Sequence, residues 1–165
     1  MPILNENSLE IFSRSPEQTR RMGIRLGAFL KPGDVVCLQG ELGAGKTTLV
    51  QGVAQGWGSL DPVSSPTFVL VNTYRRPDSS KLFHMDAYRI ESLMEAEELD
   101  IEDMIIQGPL VIEWPEKIRP ILPEARLWVV LTYQDEEVRS MVFTPHGKRF
   151  MNMISELRYS VSGVV

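Results

Sequence analysis

The sequence predicts a three-layer α/β domain with a mixed β-sheet, and three features of the chain lead to this class. Short apolar runs typical of buried strands alternate with segments whose apolar residues recur at helical spacing. A glycine-rich turn at residues 40–47 joins one such strand to the helix after it. Two β-rich runs at 126–133 and 138–144, separated by a short polar turn, predict an antiparallel hairpin near the C-terminus. This order of elements predicts helices packed on both faces of one sheet.

The composition is that of a single globular domain. Its 165 residues are 43% hydrophobic, which is enough to build a full core. The sequence has neither a charged and apolar leader nor an apolar run of membrane-spanning length, so we expect a cytoplasmic protein with no membrane contact. Within the single domain, 1–165, we expect a core over about residues 8–147, followed by a helix and tail at about 148–165.

The counts of particular residue types exclude several classes of function. The one cysteine, Cys37, cannot form an internal disulfide, and its place in a predicted strand indicates an inert buried thiol. With only His84 and His146 beside it, the chain has no ligand set for structural zinc. The net charge of −5 argues against broad nucleic-acid binding by this chain alone. Residues 91–103 carry seven acidic residues and no Lys or Arg, and predict a helix with either a solvated face or a docking surface for a basic partner.

The first elements are marked by capping residues. A short edge strand is predicted at residues 9–12. Ser15 as N-cap, Pro16 in the first turn and Gln18 at the capping-box position predict a helix that runs to about residue 30. A Lys-Pro-Gly sequence ends that helix, and the apolar run at 34–39 predicts a buried strand.

The segment after this strand fits the phosphate-binding pattern G-x-x-x-x-G-K-[ST]. Its glycines let the backbone turn N–H groups inward toward the α- and β-phosphates of a nucleotide, and the positive end of the next helix adds to this cradle. Lys46, in a loop that we expect to face solvent, reaches the β- and γ-phosphates, while the Thr47 hydroxyl binds Mg²⁺. The sequence thus predicts a P-loop NTPase-like domain. Its predicted nucleotide-binding residues are Gly40, Glu41, Leu42, Gly43, Ala44, Gly45, Lys46, Thr47 and Thr48.

The remaining elements follow from periodicity and turn residues. Gly56 and Gly58 are expected to end the helix after the loop. Beyond it we predict a loop at 61–66, strands at 67–74, 81–85 and 110–114, a turn at 77–80, and a short amphipathic helix carrying Phe150, Met153, Ile154 and Leu157.

Two predicted strands end in an acid, at Asp86 and Glu113. Ligands of open α/β sheets bind beyond the carboxyl ends of the strands, and a P-loop enzyme needs a carboxylate there to hold Mg²⁺. Each acid has an alternative use as a cap for the next helix. His84 shares the strand face of Asp86, and either orients that carboxylate or simply packs. Thr67, in Ser-Pro-Thr-Phe at 65–68, is a candidate switch residue near the metal.

Four ordered motifs resemble one family. Gly-Glu-Leu-Gly-Ala-Gly-Lys-Thr-Thr (40–48), Ser-Pro-Thr-Phe (65–68), His-Met-Asp-Ala-Tyr-Arg (84–89) and Ile-Glu-Trp-Pro-Glu (112–116) closely resemble the TsaE (YjeE) family, over about residues 8–140. These are the bacterial P-loop ATPases of tRNA threonylcarbamoyladenosine biosynthesis. Ala87 departs from the family, where leucine is usual.

The resemblance implies both a chemistry and a set of partners. It implies that ATP and Mg²⁺ are the cofactors, that Lys46, Glu113 and Thr67 serve catalysis, and that the metal is held by Thr47, Asp86 and Glu113. From the residues alone we assign Asp86 to the metal and Glu113 to the attacking water. The resemblance also implies a complex with TsaD and TsaB, which transfers a threonylcarbamoyl group to tRNA, so that tRNA is contacted only indirectly. ATP hydrolysis would support repeated turnover of that complex.

Two other functions fit the same motifs. A P-loop small-molecule kinase would need a second pocket with arginines and a mobile lid, and no compact lid signature is present in the sequence. A nucleotide-gated binding module would use bound ATP to set affinity for a partner, with negligible catalysis. A GTPase is disfavoured because no Asn-Lys-x-Asp segment is present to bind guanine.

Overall fold

A computed structural model describes residues 7–64 and 70–162 of the chain. Within these residues the strands are β1 (Leu9–Ser13), β2 (Val35–Gly40), β3 (Val71–Arg75), β4 (Lys81–Asp86), β5 (Leu110–Glu113), β6 (Arg126–Tyr133) and β7 (Arg139–His146). The helices are α1 (Pro16–Gly27), α2 (Lys46–Trp57), α3 (Leu93–Glu97), α4 (Ile101–Gln107) and α5 (Lys148–Ser162), with two short 3-10 turns at Pro115–Lys117 and Arg119–Ile121. None of these helices is both long enough and apolar enough to cross a bilayer.

All the described strands belong to one mixed sheet, in the order β1-β7-β6-β2-β5-β4-β3. The central strand β2 runs parallel to both neighbours, β5 and β6, and β4 runs parallel to β5. The outer pairings β3–β4, β6–β7 and β1–β7 are antiparallel. The predicted mixed sheet, edge strand and C-terminal hairpin are confirmed. Because β2, β4 and β5 are parallel, their carboxyl ends meet at one edge of the sheet, where the predicted site residues lie.

Alternation along β2 divides the core into two layers. Val36 and Leu38 pack with residues of α1, α2 and α5, whereas Val35 and Cys37 pack with residues of α3, α4 and the 3-10 turns. Successive strand residues point to opposite faces, so one buried strand contributes to both layers. Burial also raises the pKa of the Cys37 thiol to about 12, as expected for an inert cysteine. The three-layer α/β class is therefore confirmed.

Capping explains where α1 begins and where α2 ends. Ser15 accepts a hydrogen bond from the Gln18 backbone N–H, as predicted, and α1 ends at Gly27, before the predicted end near residue 30. The prediction that Gly56 stops α2 is wrong: the helix continues through it and ends at Gly58, whose φ is 106°. A Cβ on Gly56 would lie 2.0 Å from the Ile24 carbonyl oxygen of α1, so this glycine permits close helix packing instead.

The acidic segment forms parts of two short helices, α3 and α4, rather than one continuous helix. Asp100 lies between them with a φ of 53°, a left-handed conformation that interrupts a helix, and its side chain caps α4. At the C-terminal end, α5 buries Phe150, Met153, Ile154 and Leu157, so the predicted amphipathic helix is confirmed. Residues 67–69 of the predicted third strand lie outside the described part of the chain, and β3 begins at Val71.

Candidate functional site

The phosphate-binding loop joins the end of β2 to the start of α2, as the motif predicts. Gly43 and Gly45 have φ values of 80° and 104°, which side-chain-bearing residues rarely adopt. Gly45 is the N-cap of α2, so the loop leads directly into the positive end of a twelve-residue helix. Ala44 is buried beneath the loop, whereas Leu42 is exposed at its tip. This loop conformation is suited to holding phosphate oxygens.

Lys46 is buried, which corrects the expectation that it stands in a solvent-facing loop. Only 6% of its surface is exposed, because Nζ donates to the Gly40 carbonyl oxygen at 2.5 Å and lies 3.8 Å from the Trp114 ring centroid. Burial lowers the pKa of Lys46, while the charges of Glu113 and Asp86 oppose that shift. Trp114 follows β5 directly and has a φ of 59°, an uncommon conformation for a bulky residue. The turn there packs the indole ring against the lysine.

The two predicted acids lie side by side at the ends of neighbouring parallel strands. Asp86 of β4 is the register partner of Glu113 of β5, and Glu113 is in turn the partner of Leu38 in β2. Glu113 is buried. The pKa of Asp86 is raised, mainly because Asp86 is itself partly buried and to a smaller extent because the charge of Glu113 is nearby. One oxygen of Asp86 accepts the Tyr88 backbone N–H at 2.9 Å, so this acid also fixes the turn after β4. Both acids and Lys46 are close enough to interact electrostatically.

His84 contacts the other acid, not the one that the strand pattern favoured. Its Nε2 lies 2.6 Å from Oε2 of Glu113, and its Nδ1 lies 2.9 Å from the Tyr74 hydroxyl. His84 pairs in register with Val111, two residues before Glu113, so the imidazole reaches diagonally to the adjacent strand. The alternative that His84 orients Asp86 is therefore wrong. The role of Tyr74 was not found from the sequence, because a tyrosine in a strand carries no local signal for its partner.

The residues that could hold a metal form a sparse set. Thr47 follows Lys46 as the second residue of α2, and Asp86 and Glu113 stand at the adjoining strand ends. Across residues 7–64 and 70–162, no cluster of three or more His, Cys, Asp or Glu side chains is arranged to hold a metal ion. A hydroxyl and one or two carboxylates are too few to cage a metal, but they fit Mg²⁺, which keeps several waters and takes phosphate oxygens as ligands. The donor set therefore fits Mg²⁺ bound together with a nucleotide.

An open cleft of about 440 Å³ lies on the other side of the loop from these acids. Arg139 of β7 borders it, donates to the Gly43 carbonyl oxygen at 3.3 Å and stacks on Tyr133 with 4.2 Å between guanidinium carbon and ring centroid. Only part of this lining was predicted from the sequence, since no motif marks the residues from α1 and β7. The lining residues are Arg14, Ser15, Pro16, Thr19, Gly43, Gly45, Thr48, Glu136, Glu137 and Arg139.

Thr67, the predicted switch residue, lies outside the described residues. Three residues before it, the Ser64 carbonyl oxygen accepts hydrogen bonds from the Tyr74 hydroxyl at 3.1 Å and from Asn72 Nδ2 at 3.0 Å. The structure thus brings together Lys46, Thr47, Asp86 and Glu113, and connects Tyr74 and His84 to them.

Comparisons with known proteins agree with this arrangement. The model of the family "Threonylcarbamoyl adenosine biosynthesis protein TsaE" matches residues 13–141. The tRNA threonylcarbamoyladenosine biosynthesis protein TsaE of Bacillus subtilis (strain 168) is 39% identical over 144 residues, which cover 87% of this chain and 89% of that protein. The protein of the same name from Nostoc sp. (strain PCC 7120) is 40% identical over 151 residues, covering 88% and 91%.

A solved structure has the same architecture. The crystal structure of Bacillus subtilis YdiB superposes with a TM-score of 0.75 at 34% identity, covering 93% of this chain and 96% of that one. The P-loop NTPase-like fold predicted from the sequence is therefore confirmed. Because the family model and the relatives each span most of the chain, this protein is a member of the TsaE family.

Proposed function

We propose that this chain is a Mg²⁺-dependent ATPase that acts in the biosynthesis of threonylcarbamoyladenosine in tRNA. The observation that carries the proposal is the burial of Lys46 between the Gly40 carbonyl, the Trp114 ring and two carboxylates at the carboxyl ends of parallel strands. A buried lysine on a phosphate-binding loop is a preorganised charge, which is what phosphoryl transfer requires. The names of the relatives supply the biological process.

The side chains at the loop divide the chemistry between them. Lys46 would bind the β- and γ-phosphates, and Thr47 with Asp86 would hold Mg²⁺, which when bound neutralises charge on the phosphate oxygens. Glu113 would orient the attacking water and accept its proton, which ends on the released phosphate. The water oxygen bonds to the γ-phosphorus as the bond to the ADP oxygen breaks, so the products are ADP and inorganic phosphate. Thr67 is proposed to act with them, as the family resemblance implies.

The open cleft beside the loop is the proposed place of the adenosine. Thr48, next to the proposed metal ligand Thr47, borders it together with Gly43 and Gly45, so the cleft continues from the α-phosphate end of the loop. A bound nucleoside would be positioned by the guanidinium groups of Arg14 and Arg139 and by polar groups at the start of α1. Asp86 and Glu113 would then lie at the γ-phosphate, and the cleft would hold the nucleoside.

The proposed partners are TsaD and TsaB, and tRNA would be contacted only through their complex. Hydrolysis by the isolated chain is expected to be slow, because a partner commonly supplies or positions a missing group in P-loop enzymes. ATP turnover should be compared for the isolated chain and for the chain with TsaD and TsaB. Fast multiple turnover that is unaffected by these proteins would contradict the partner assignment. Nucleotide-dependent complex formation without any hydrolysis would instead favour the nucleotide-gated binding module.

Lys46→Ala tests the active site itself. We expect turnover to fall by on the order of 100-fold, as for loss of one preorganised donor in an active site. Lys81→Ala, at the exposed start of β4, is the matched control and should hydrolyse ATP at the rate of the natural chain. Circular dichroism should show that both variants fold. Unchanged hydrolysis by folded Lys46→Ala would contradict the P-loop assignment.

A further inference from the structure

We propose that His84 and Tyr74 are positioning residues that fix the Glu113 carboxylate and connect it to the backbone at Ser64. The inference rests on the proposed role of Glu113 in ATP hydrolysis. It concerns a continuous chain of contacts, from the Ser64 carbonyl through the Tyr74 hydroxyl and the His84 ring to Glu113. These four residues come from three neighbouring strands and the loop before β3.

The links from Tyr74 through His84 to Glu113 are short and shielded from water, whereas the link to Ser64 is part-buried. His84 is fully buried, Tyr74 is 3% exposed and Glu113 is 5% exposed. The distances are 3.1 Å from the Tyr74 hydroxyl to the Ser64 carbonyl oxygen, 2.9 Å from that hydroxyl to Nδ1 of His84, and 2.6 Å from Nε2 to Oε2 of Glu113. Hydrogen bonds in such surroundings are strong, and a group left without its partner there is costly. The arrangement therefore holds the carboxylate in one orientation.

The direction of the hydrogen bonds fixes the imidazole ring. Tyr74 has one hydroxyl proton and donates it to the Ser64 carbonyl oxygen, so Nδ1–H of His84 donates to the tyrosine oxygen. The 2.6 Å contact between Nε2 and Oε2 of Glu113 then needs a second proton, which is shared between the ring and the carboxylate. The same acid keeps Oε1 as the oxygen through which it would orient water. His84 and Tyr74 therefore act on the reaction through Glu113, without contacting nucleotide themselves.

At its other end, this series of hydrogen bonds reaches the backbone at Ser64. Ser64 directly precedes the Ser-Pro-Thr-Phe motif at 65–68, in which Thr67 is a proposed catalytic residue. Asn72 also donates to the Ser64 carbonyl oxygen, so two side chains of β3 bind one backbone atom. A displacement of the backbone at Ser64 would change the Tyr74 contact and, through His84, the position of Glu113. The position of Glu113 is thereby linked to the backbone at Ser64.

A double-mutant cycle separates positioning from ordinary structural support. His84→Gln, Glu113→Gln and the double variant are compared for kcat and for ATP affinity, using the full chain with TsaD and TsaB. We expect His84→Gln to lower kcat by about 10-fold to 100-fold while ATP affinity stays unchanged, as for other residues that orient an active-site ligand. In the Glu113→Gln background the same substitution should lower kcat less than about twofold, because its only route to the reaction is already lost.

Two further variants refine the test. Tyr74→Phe removes only the hydroxyl, so a loss of about fivefold in kcat is expected, and this loss should also vanish in the Glu113→Gln background. His84→Leu should be more harmful than His84→Gln, whose amide can still donate to Glu113. Tyr159→Phe, on the exposed surface of α5, is the control and should match the natural chain.

Each outcome decides between the two proposals. Losses from His84→Gln and Tyr74→Phe that persist at full size in the Glu113→Gln background would overturn the positioning role. Failure of Glu113→Gln itself to lower kcat would overturn the proposed function of Glu113. If His84→Leu does not fold, Tyr74→Phe keeps the inference testable, because it changes a single atom and its thermal unfolding can be checked separately.

Discussion

The two sides of the phosphate-binding loop differ in burial and in the charged groups that border them. On one side, which we call the acid flank, Asp86 and Glu113 stand at adjacent strand ends, half-buried and buried, in contact with His84 or backbone. On the other side, the open cleft is bordered by two arginines, Arg14 and Arg139, and by two exposed acids, Glu136 and Glu137. Arg139 stacks on an exposed tyrosine. Lys46 begins α2 between them and is oriented toward the acids.

The difference indicates a division of labour within one site. Buried charges are costly to the fold and are kept where electrostatic orientation must be fixed before the reaction begins. The exposed Arg14 guanidinium costs the fold little and can adjust to a ligand, which suits binding rather than chemistry. The half-buried Arg139 guanidinium is held beside the loop by backbone carbonyl oxygens. Substitutions on the acid flank should therefore change the rate, and those in the cleft should change affinity.

The largest effect is expected at Glu113. Glu113→Gln keeps the size of the side chain but removes the carboxylate that would orient water, so kcat should fall by on the order of 100-fold. ATP affinity, measured by isothermal titration calorimetry, should stay within about twofold because the loop and cleft are unchanged. An equal loss of affinity and rate would show that Glu113 binds the nucleotide and would weaken the contrast between the two sides.

Arg139→Ala should have the opposite signature. Removing the guanidinium takes away a charged group from the cleft, and loss of one charge-assisted hydrogen bond corresponds to about a tenfold weaker Kd for ATP. The value of kcat at saturating ATP should remain near that of the natural chain. Arg75→Ala is the control, because it removes an exposed arginine on β3, which lies toward the opposite edge of the sheet from β7. A fall in kcat with unchanged Kd would place Arg139 in the chemistry and not in nucleoside binding.

Asp86→Asn should weaken the response to Mg²⁺ but raise the stability of the fold at neutral pH. More Mg²⁺ should be needed for half-maximal activity, because the proposed carboxylate ligand becomes an amide. The folded pKa of Asp86 is raised above its ordinary value of 3.8, so its contribution to stability is present below that value and is lost as pH rises through the raised pKa. The variant should therefore gain melting temperature over the natural protein as pH rises from 4 to 8, measured without nucleotide or Mg²⁺. A constant difference across this range would contradict the burial cost.

The smallest effect concerns the acidic surface, which lies apart from both sides of the loop. Glu97, Glu98 and Asp100 are exposed on α3 and between α3 and α4. If this surface docks a basic partner, replacing all three with Lys should slow association with TsaD and TsaB several-fold at low salt, and leave ATP turnover by the isolated chain unchanged. Surface plasmon resonance at two salt concentrations measures this. Association that is indifferent to both changes would identify a solvated helix surface.

Much of the acid flank could be predicted from local sequence. The loop motif places Gly43, Gly45, Lys46 and Thr47 together because each is within a few residues of the next, and the strand–loop–helix order fixes their common location. Asp86 and Glu113 could be predicted because an acid at the end of a buried strand must project beyond the sheet edge. Helix starts such as Ser15 were equally local, since a cap bonds to a backbone group three residues away.

The sequence by itself thus determined the fold class, the phosphate-binding loop and the acids beside it. Only the tertiary structure decided that His84 contacts Glu113, that Lys46 is buried against Trp114, and that Arg139 of β7 contacts the loop at Gly43. These contacts join residues 29, 68 and 96 positions apart along the chain. Side-chain periodicity identifies the face on which a residue lies, but the partner on that face depends on strand order and register, which arise only when the whole sheet is assembled.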